Sequence, residues 1–187
     1  MTALLLGRDV IGLPVVTIDR GEDVAEVREL VFERDGALAG FTLNKRGFLG
    51  GRMRELLVAA NVAAVGPAAV MIDSDGCLAA DEGSTASVGG SGGGSGDARV
   101  FGDEVITESG SALGTITDVV VLCGGGLALV GYQLAKADKS TAFVPLPAQR
   151  SISGSHLVVP DELATQLRHD LTGLGEGVAP YKDGLET

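Results

Sequence analysis

The chain has no tryptophan and only 4% aromatic residues, so its core must be assembled from Val, Leu, Ile and Ala. Two cysteines, Cys77 and Cys123, are too few for a disulfide framework, and there is no C-x-x-C pair for metal or redox work. Both are expected to be free thiols. Two histidines, His156 and His169, stand thirteen residues apart without acidic or thiol helpers at ligand spacing, which argues against a metal site. Positive charge is scarce: 14 Lys and Arg against 25 Asp and Glu leave a net charge of −11. That balance opposes a general attraction to nucleic acid or anionic lipid. No stretch approaches the ~20 apolar residues of a membrane helix. The opening MTALLLGRDVIG lacks the basic region and apolar length of a signal peptide. A cytoplasmic protein with no direct membrane insertion is expected.

Catalytic patterns are equally thin. GGSGG at 89–93 has the spacing of a hydrolase nucleophile elbow, but it lies inside a Gly/Ser tract rather than between a strand and a helix. Glycine runs at 89–96 and 124–126 lack the Lys-Ser/Thr ending of a phosphate loop and the spacing of a dinucleotide fold. The carboxylates Asp19, Glu22, Asp23, Glu26, Glu29 and Glu33 alternate with apolar residues and read as the solvated face of a strand. Without a nucleophile, base and orienting group in one place, the chain is expected to be non-enzymatic and to need no cofactor and no metal.

What the sequence does have is a duplicated pattern. Asp73 to Asp97, DSDGCLAADEGSTASVGGSGGGSGD, loses apolar periodicity and has linker composition. On either side of it, VTIDRGEDVAEVRELVFERDGALAGFTL (16–43) and VITESGSALGTITDVVVLCGGGLALVGYQL (105–134) run in the same order of strand, polar turn, strand, tight turn and strand. In this alignment Val27 matches Ile116, Glu29 matches Asp118, Leu30 and Val31 match Val119 and Val120, and Gly40-Phe41 matches Gly131-Tyr132. The central hairpin turns fall at Arg34-Asp35-Gly36 and at Cys123-Gly124-Gly125-Gly126, where glycine supplies positive φ. Downstream, LLVAANVAAVGPAAVMI (56–72) lines up with FVPLPAQRSISGSHLVV (143–159). Five or six short strands per half predict antiparallel small barrels. After them, PDELATQLRHDLTGLG predicts a short helix from Pro160, with Leu163, Leu167 and Leu171 on one face and an end at Gly173, covering a barrel end.

GRDVIG, the AEVRELVFERDGALAGFTL hairpin and the closing LLVAANVAAVGPAAVMI, with their second copies RVFGDEVITESGSALGTITDVVVL and FVPLPAQRSISGSHLVV, resemble the PRC-barrel family. Such barrels occur in the cytoplasmic part of the photosynthetic reaction-centre H subunit and at the carboxy end of a small-subunit ribosome maturation factor. The resemblance covers about 7–73 and 98–160. The resulting expectation is a mostly β protein of two small antiparallel PRC-like β-barrels in tandem: 1–73 the first barrel, 74–97 a Gly/Ser-rich linker, 98–160 the second barrel, and 161–187 a short helix and flexible tail. The resemblance implies an adaptor that docks on another macromolecule and carries over no catalytic residues.

One cluster stands out on this acidic chain. Lys45, Arg46, Arg52 and Arg54 fall within ten residues around Phe48 and the glycines 47, 50 and 51. A loop with an apolar anchor and a basic rim suits docking on a protein surface, since arginine pairs planar carboxylates well. The expected partner is another protein or protein complex, with nucleic acid disfavoured and self-association compatible with the pattern. Two alternatives stand beside it: an RNA-associated role in ribosome maturation, and a small-molecule-binding sensor.

Overall fold

The computed structural model describes residues 3–33, 36–47, 50–80, 87–88, 100–124, 126–147, 151–153 and 155–178. Phe48, the GGSGG tract and the tail after Val178 lie outside the described residues. The protein is mostly β and divides into two compact units. One comprises Met1–Ala98 with Val121–Ala128; the other comprises Arg99–Val120 with Leu129–Thr187.

The first half runs β1 (Ala3–Leu6), a single helical turn α1 (Gly7–Val10), β2 (Pro14–Thr17), β3 (Asp23–Phe32), β4 (Leu38–Asn44), β5 (Arg52–Val58), β6 (Ala64–Val65), β7 (Val70–Ile72), β8 (Leu78–Ala80) and β9 (Ser87–Val88). Its sheet is ordered β6-β7-β2-β3-β4-β5-β8, with β9 pairing β3 at Val31 and Phe32. The second half runs β10 (Glu104–Thr107), β11 (Ala112–Gly124), β12 (Gly126–Ala135), β13 (Thr141–Pro145), β14 (Ser151–Ser153) and β15 (His156–Val159), followed by α2 (Leu171–Val178). Read from its far edge, that sheet is β14-β15-β10-β11-β12-β13, the same order as β6-β7-β2-β3-β4-β5.

The correspondence reaches individual bonds. Gly12 N donates to the Val27 carbonyl at 2.8 Å and Gly102 N to the Ile116 carbonyl at 2.9 Å; Val27 N returns to Leu13 and Ile116 N to Asp103, each at 2.9 Å. Both first hairpins carry a bulge on the strand leaving them, at Val24 between Asp23 and Ala25 and at Leu113 between Ala112 and Gly114. Both turns close on a buried threonine. Glu22 N donates to Thr17 Oγ1 at 3.2 Å, and Ser111 N to Thr107 Oγ1 at 3.1 Å. Period-2 alternation then faces Val15 and Thr17, or Val105 and Thr107, inward. Each core is mostly aliphatic: Phe41 lies opposite Leu30 and Leu57 and Tyr132 opposite Val144, and Phe32 and Phe143 are the other buried rings among the described residues.

Three sequence expectations change. The sheets are antiparallel except that β2 pairs β7 and β10 pairs β15 in parallel. Parallel neighbours need a long connection, and here the intervening meander is that connection, so no crossover helix is required. Cys123 is not in the turn. Strand β11 continues to Gly124 and β12 starts at Gly126, which buries Cys123 within the hairpin. Lastly, the helix expected from Pro160 to Gly173 is split. Asp161–Gln166 form a 3-10 segment, and Arg168 then pairs with Phe143 of β13 through N–O contacts of 2.7 and 2.8 Å. That pairing extends the backbone at Leu167 and stops the helix. Helix α2 begins afresh, its first turn capped by Asp170 Oδ1, which accepts from Gly173 N at 2.7 Å.

The stretch between the duplicated halves contributes to the first sheet in two places. Leu78–Ala80 pairs with β5 from Leu57 to Glu55, and Ser87–Val88 pairs with β3. Cys77, just before β8, and Cys123 are both free thiols, the first half-buried and the second buried. Burial pushes the Cys123 thiol up to about 11 from the ordinary 9.0, which cuts its thiolate fraction at pH 8 by about a hundredfold. A disulfide-exchange reagent is therefore expected to titrate one thiol in the native protein at pH 8 and two after unfolding. Fast modification of both in the native state contradicts the buried position of Cys123.

Candidate functional site

The basic cluster is built by the connection from β4 to β5. Its neck is closed by Lys45 N donating to the Gly51 carbonyl at 2.9 Å, and its tip turns on a Gly50 N to Gly47 carbonyl bond, also 2.9 Å. Gly47 has φ +109°, and a Cβ on Gly50 would overlap the Lys45 carbonyl oxygen. The glycines between the cations are thus the means of tightening the loop.

The four cations separate into two groups. Arg46 folds back onto β3: its Nη2 lies 2.5 Å from Asp23 Oδ2 and its Nη1 3.1 Å from Glu26 Oε2. The hairpin register explains this, because Glu26 stands opposite Asn44, two residues before Arg46. All three side chains are between a third and a half exposed, so each ion pair contributes at most about 1 kcal/mol and chiefly orders the loop. Arg46 is therefore committed within the chain.

Lys45, Arg52 and Arg54 are exposed and make no ion pair with the described residues. Arg52 opens β5 opposite Asn44, and Arg54 follows at a spacing of two, so both emerge on one side of the strand. Leu57 lies on the opposite side, in the core. The outward row continues with half-buried Leu56 and with Val58, whose 41% exposure is high for a large apolar residue. This side of β5 thus has cations at one end and exposed apolar atoms at the other. Phe48, the anchor expected from the sequence, lies outside the described residues; Val58 was not singled out by sequence, although its place on the Arg52–Arg54 side follows from alternation alone.

Asp161 is held below the usual carboxylate range by the Ser109 N–H it accepts at 3.0 Å, which ties the β10–β11 turn to the 3-10 segment. Among the described residues no group of His, Cys, Asp and Glu could hold a metal ion, and no helix is long and apolar enough to cross a membrane. His156 and His169 are both exposed; His156 Nε2 stands 3.5 Å from Glu104 Oε2.

No curated protein matches the chain. Residues 4–76, which include the parallel pair β2–β7 and the β2-β3-β4-β5 meander, match the family model of the PRC-barrel domain.

Proposed function

We propose that the chain is a non-enzymatic cytoplasmic adaptor that docks on an acidic surface of another protein through the outward side of β5 and the loop before it. Lys45, Arg52 and Arg54 supply the charge, with Leu56 and Val58 as the apolar part. One observation carries this reading: on a protein of net charge −11, these three exposed cations make no ion pair with the described residues, while their neighbour Arg46 makes two. The PRC-barrel match over 4–76 suggests a non-catalytic module and agrees with it. The second sheet, with its shared strand order and matching turn bonds, is proposed to be a second copy of that barrel.

Tagged protein would be used to capture partners from lysate of its own host, membranes and ribosomes included, beside a K45E/R52E/R54E variant and, separately, R46E. A captured protein is expected to bind the triple variant at least tenfold more weakly, a loss that grows smaller as salt rises. R46E is expected to affect binding less than the triple variant, because its side chain is already engaged. If the triple variant captures the same set with the same affinity, the β5 face is only solvated and the reading fails. Retention on ribosomal particles through RNA would show instead as a partner lost on nuclease treatment.

A further inference from the structure

The place filled by Arg46 in the first unit has an equivalent in the second, and there it is a cleft. The registers define it. Pro14 pairs with Glu26 where Glu104 pairs with Thr115, and Val16 pairs with Asp23 where Ile106 pairs with Ala112. Lys45 N closes its loop on Gly51 as Lys136 N closes its loop on Ser140, both at 2.9 Å. Asp23, Glu26 and Arg46 therefore correspond to Ala112, Thr115 and Ala137. An ion-paired arginine and its two carboxylates have become two alanines and a threonine.

A cleft of about 460 Å³ lies at this place, lined by Gly114 and the two alanines together with Glu104, Thr115, Lys136 and Asp138. Gly114 lets β11 approach β12 closely, since a Cβ there would stand 2.7 Å from the Ala135 carbonyl oxygen. The carboxylates are displaced rather than lost: Glu104 enters from the start of β10 and Asp138 from the loop. Asp138 is fixed in place, its Oδ1 accepting from Ser140 N at 2.9 Å and Ser140 Oγ at 2.5 Å, with Oδ2 left over. Glu104 faces His156 with one oxygen at 3.5 Å. Lys136 is the single lysine or arginine on the rim.

We propose that this cleft receives an arginine side chain from a protein partner, which takes the role that Arg46 plays within the first unit. A guanidinium is planar with five donors. It meets two carboxylates and a hydroxyl here, at a place where the first unit pairs its own guanidinium with two carboxylates. The site shares no residue with the β5 face.

The probe is N-acetyl-arginine amide, titrated into the 15N-labelled full chain, with N-acetyl-citrulline amide as the uncharged isostere. Saturable shifts at the Thr115 and Lys136 amides are expected with a dissociation constant of about 1 mM, as suits one side chain. Citrulline is expected to bind at least fivefold more weakly. The variant A112D/T115E/A137R transplants the first unit's internal pair onto three exposed positions and should abolish the shifts. Should that variant misfold, E104Q/D138N provides the same reading by removing the rim charges. R52E/R54E should leave the titration unchanged. Equal shifts with citrulline, no saturable shift, or unchanged shifts in a folded cleft variant each overturn the proposal.

Discussion

Gly40→Ala is expected to destabilise the first unit by about 3 kcal/mol, through a backbone clash and a strained φ together. Gly40 sits in the middle of β4 at φ +154°, and a Cβ there would overlap the Leu57 carbonyl oxygen and stand 2.9 Å from Val58 Cα. These are backbone atoms of the neighbouring strand. They cannot retreat without opening the Gly40–Val58 and Phe41–Leu57 pairings that bury Phe41 and Leu57. Gly131→Ala meets the Val144 carbonyl oxygen in the equivalent place, but φ is ordinary there and its next neighbour, Leu174 Cδ2 at 3.2 Å, belongs to a movable side chain. A smaller loss of about 2 kcal/mol is expected. Gly51 has open space around it, and Gly51→Ala should change stability by no more than about 0.5 kcal/mol. Urea unfolding followed by circular dichroism measures all three; a Gly40→Ala protein as stable as the parent would show that β4 and β5 do not approach this closely.

The glycine pair also shows why the shared strand order of the two halves was legible in the sequence. Gly40-Phe41 and Gly131-Tyr132 combine a backbone requirement with a large core side chain, and both aromatic residues are buried to within 1% of completely. Such positions tolerate few alternatives, so a repeat remains visible even when its surface has changed. The match of Val27 to Ile116 persisted for the same reason: each is buried and each exchanges backbone bonds with the entry to the first strand.

The surface pattern was less legible. Alternation places Glu26 away from the core, between buried Ala25 and Val27, but it gives Asp23 their parity, which the bulge at Val24 interrupts, and it says nothing about which carboxylate meets a cation. Their pairing with Arg46 depends on the β3–β4 register and on the bulge between Val27 and Glu29. A basic loop counted along the chain therefore looked like four equivalent charges, where the structure distinguishes one internally paired arginine from three exposed cations. Cys123 misled for a related reason. A run of three glycines suggests a wide turn, whereas ladder pairing continued into it and drew the thiol inside.

Leu174→Ala is the second large effect, a loss of about 3 kcal/mol from the second unit. The leucine is only 1% exposed although its helix is two turns long and exposes Thr172 and Glu176 on either side of it. Its partner is Gly131, and the Tyr132 and Val144 side chains point to the other face of the sheet. Helix α2 thus lies over the outer face of β12 and β13, not over a barrel end as its leucine spacing suggested. The chain reaches that position by way of the Phe143–Arg168 bridge, and the first unit makes the corresponding edge contact between Leu56 and Ala79. After that contact the two halves diverge, because in the second one the absent side chain of Gly131 is the space that Leu174 occupies. Truncating Leu174 leaves that space empty, so the Gly131→Ala change, costly alone, should be less costly in the Leu174→Ala background. A double-mutant cycle by urea unfolding is expected to return a coupling of about 1 kcal/mol. Strict additivity would mean that α2 does not rest on β12, and that the helix stabilises nothing beneath it.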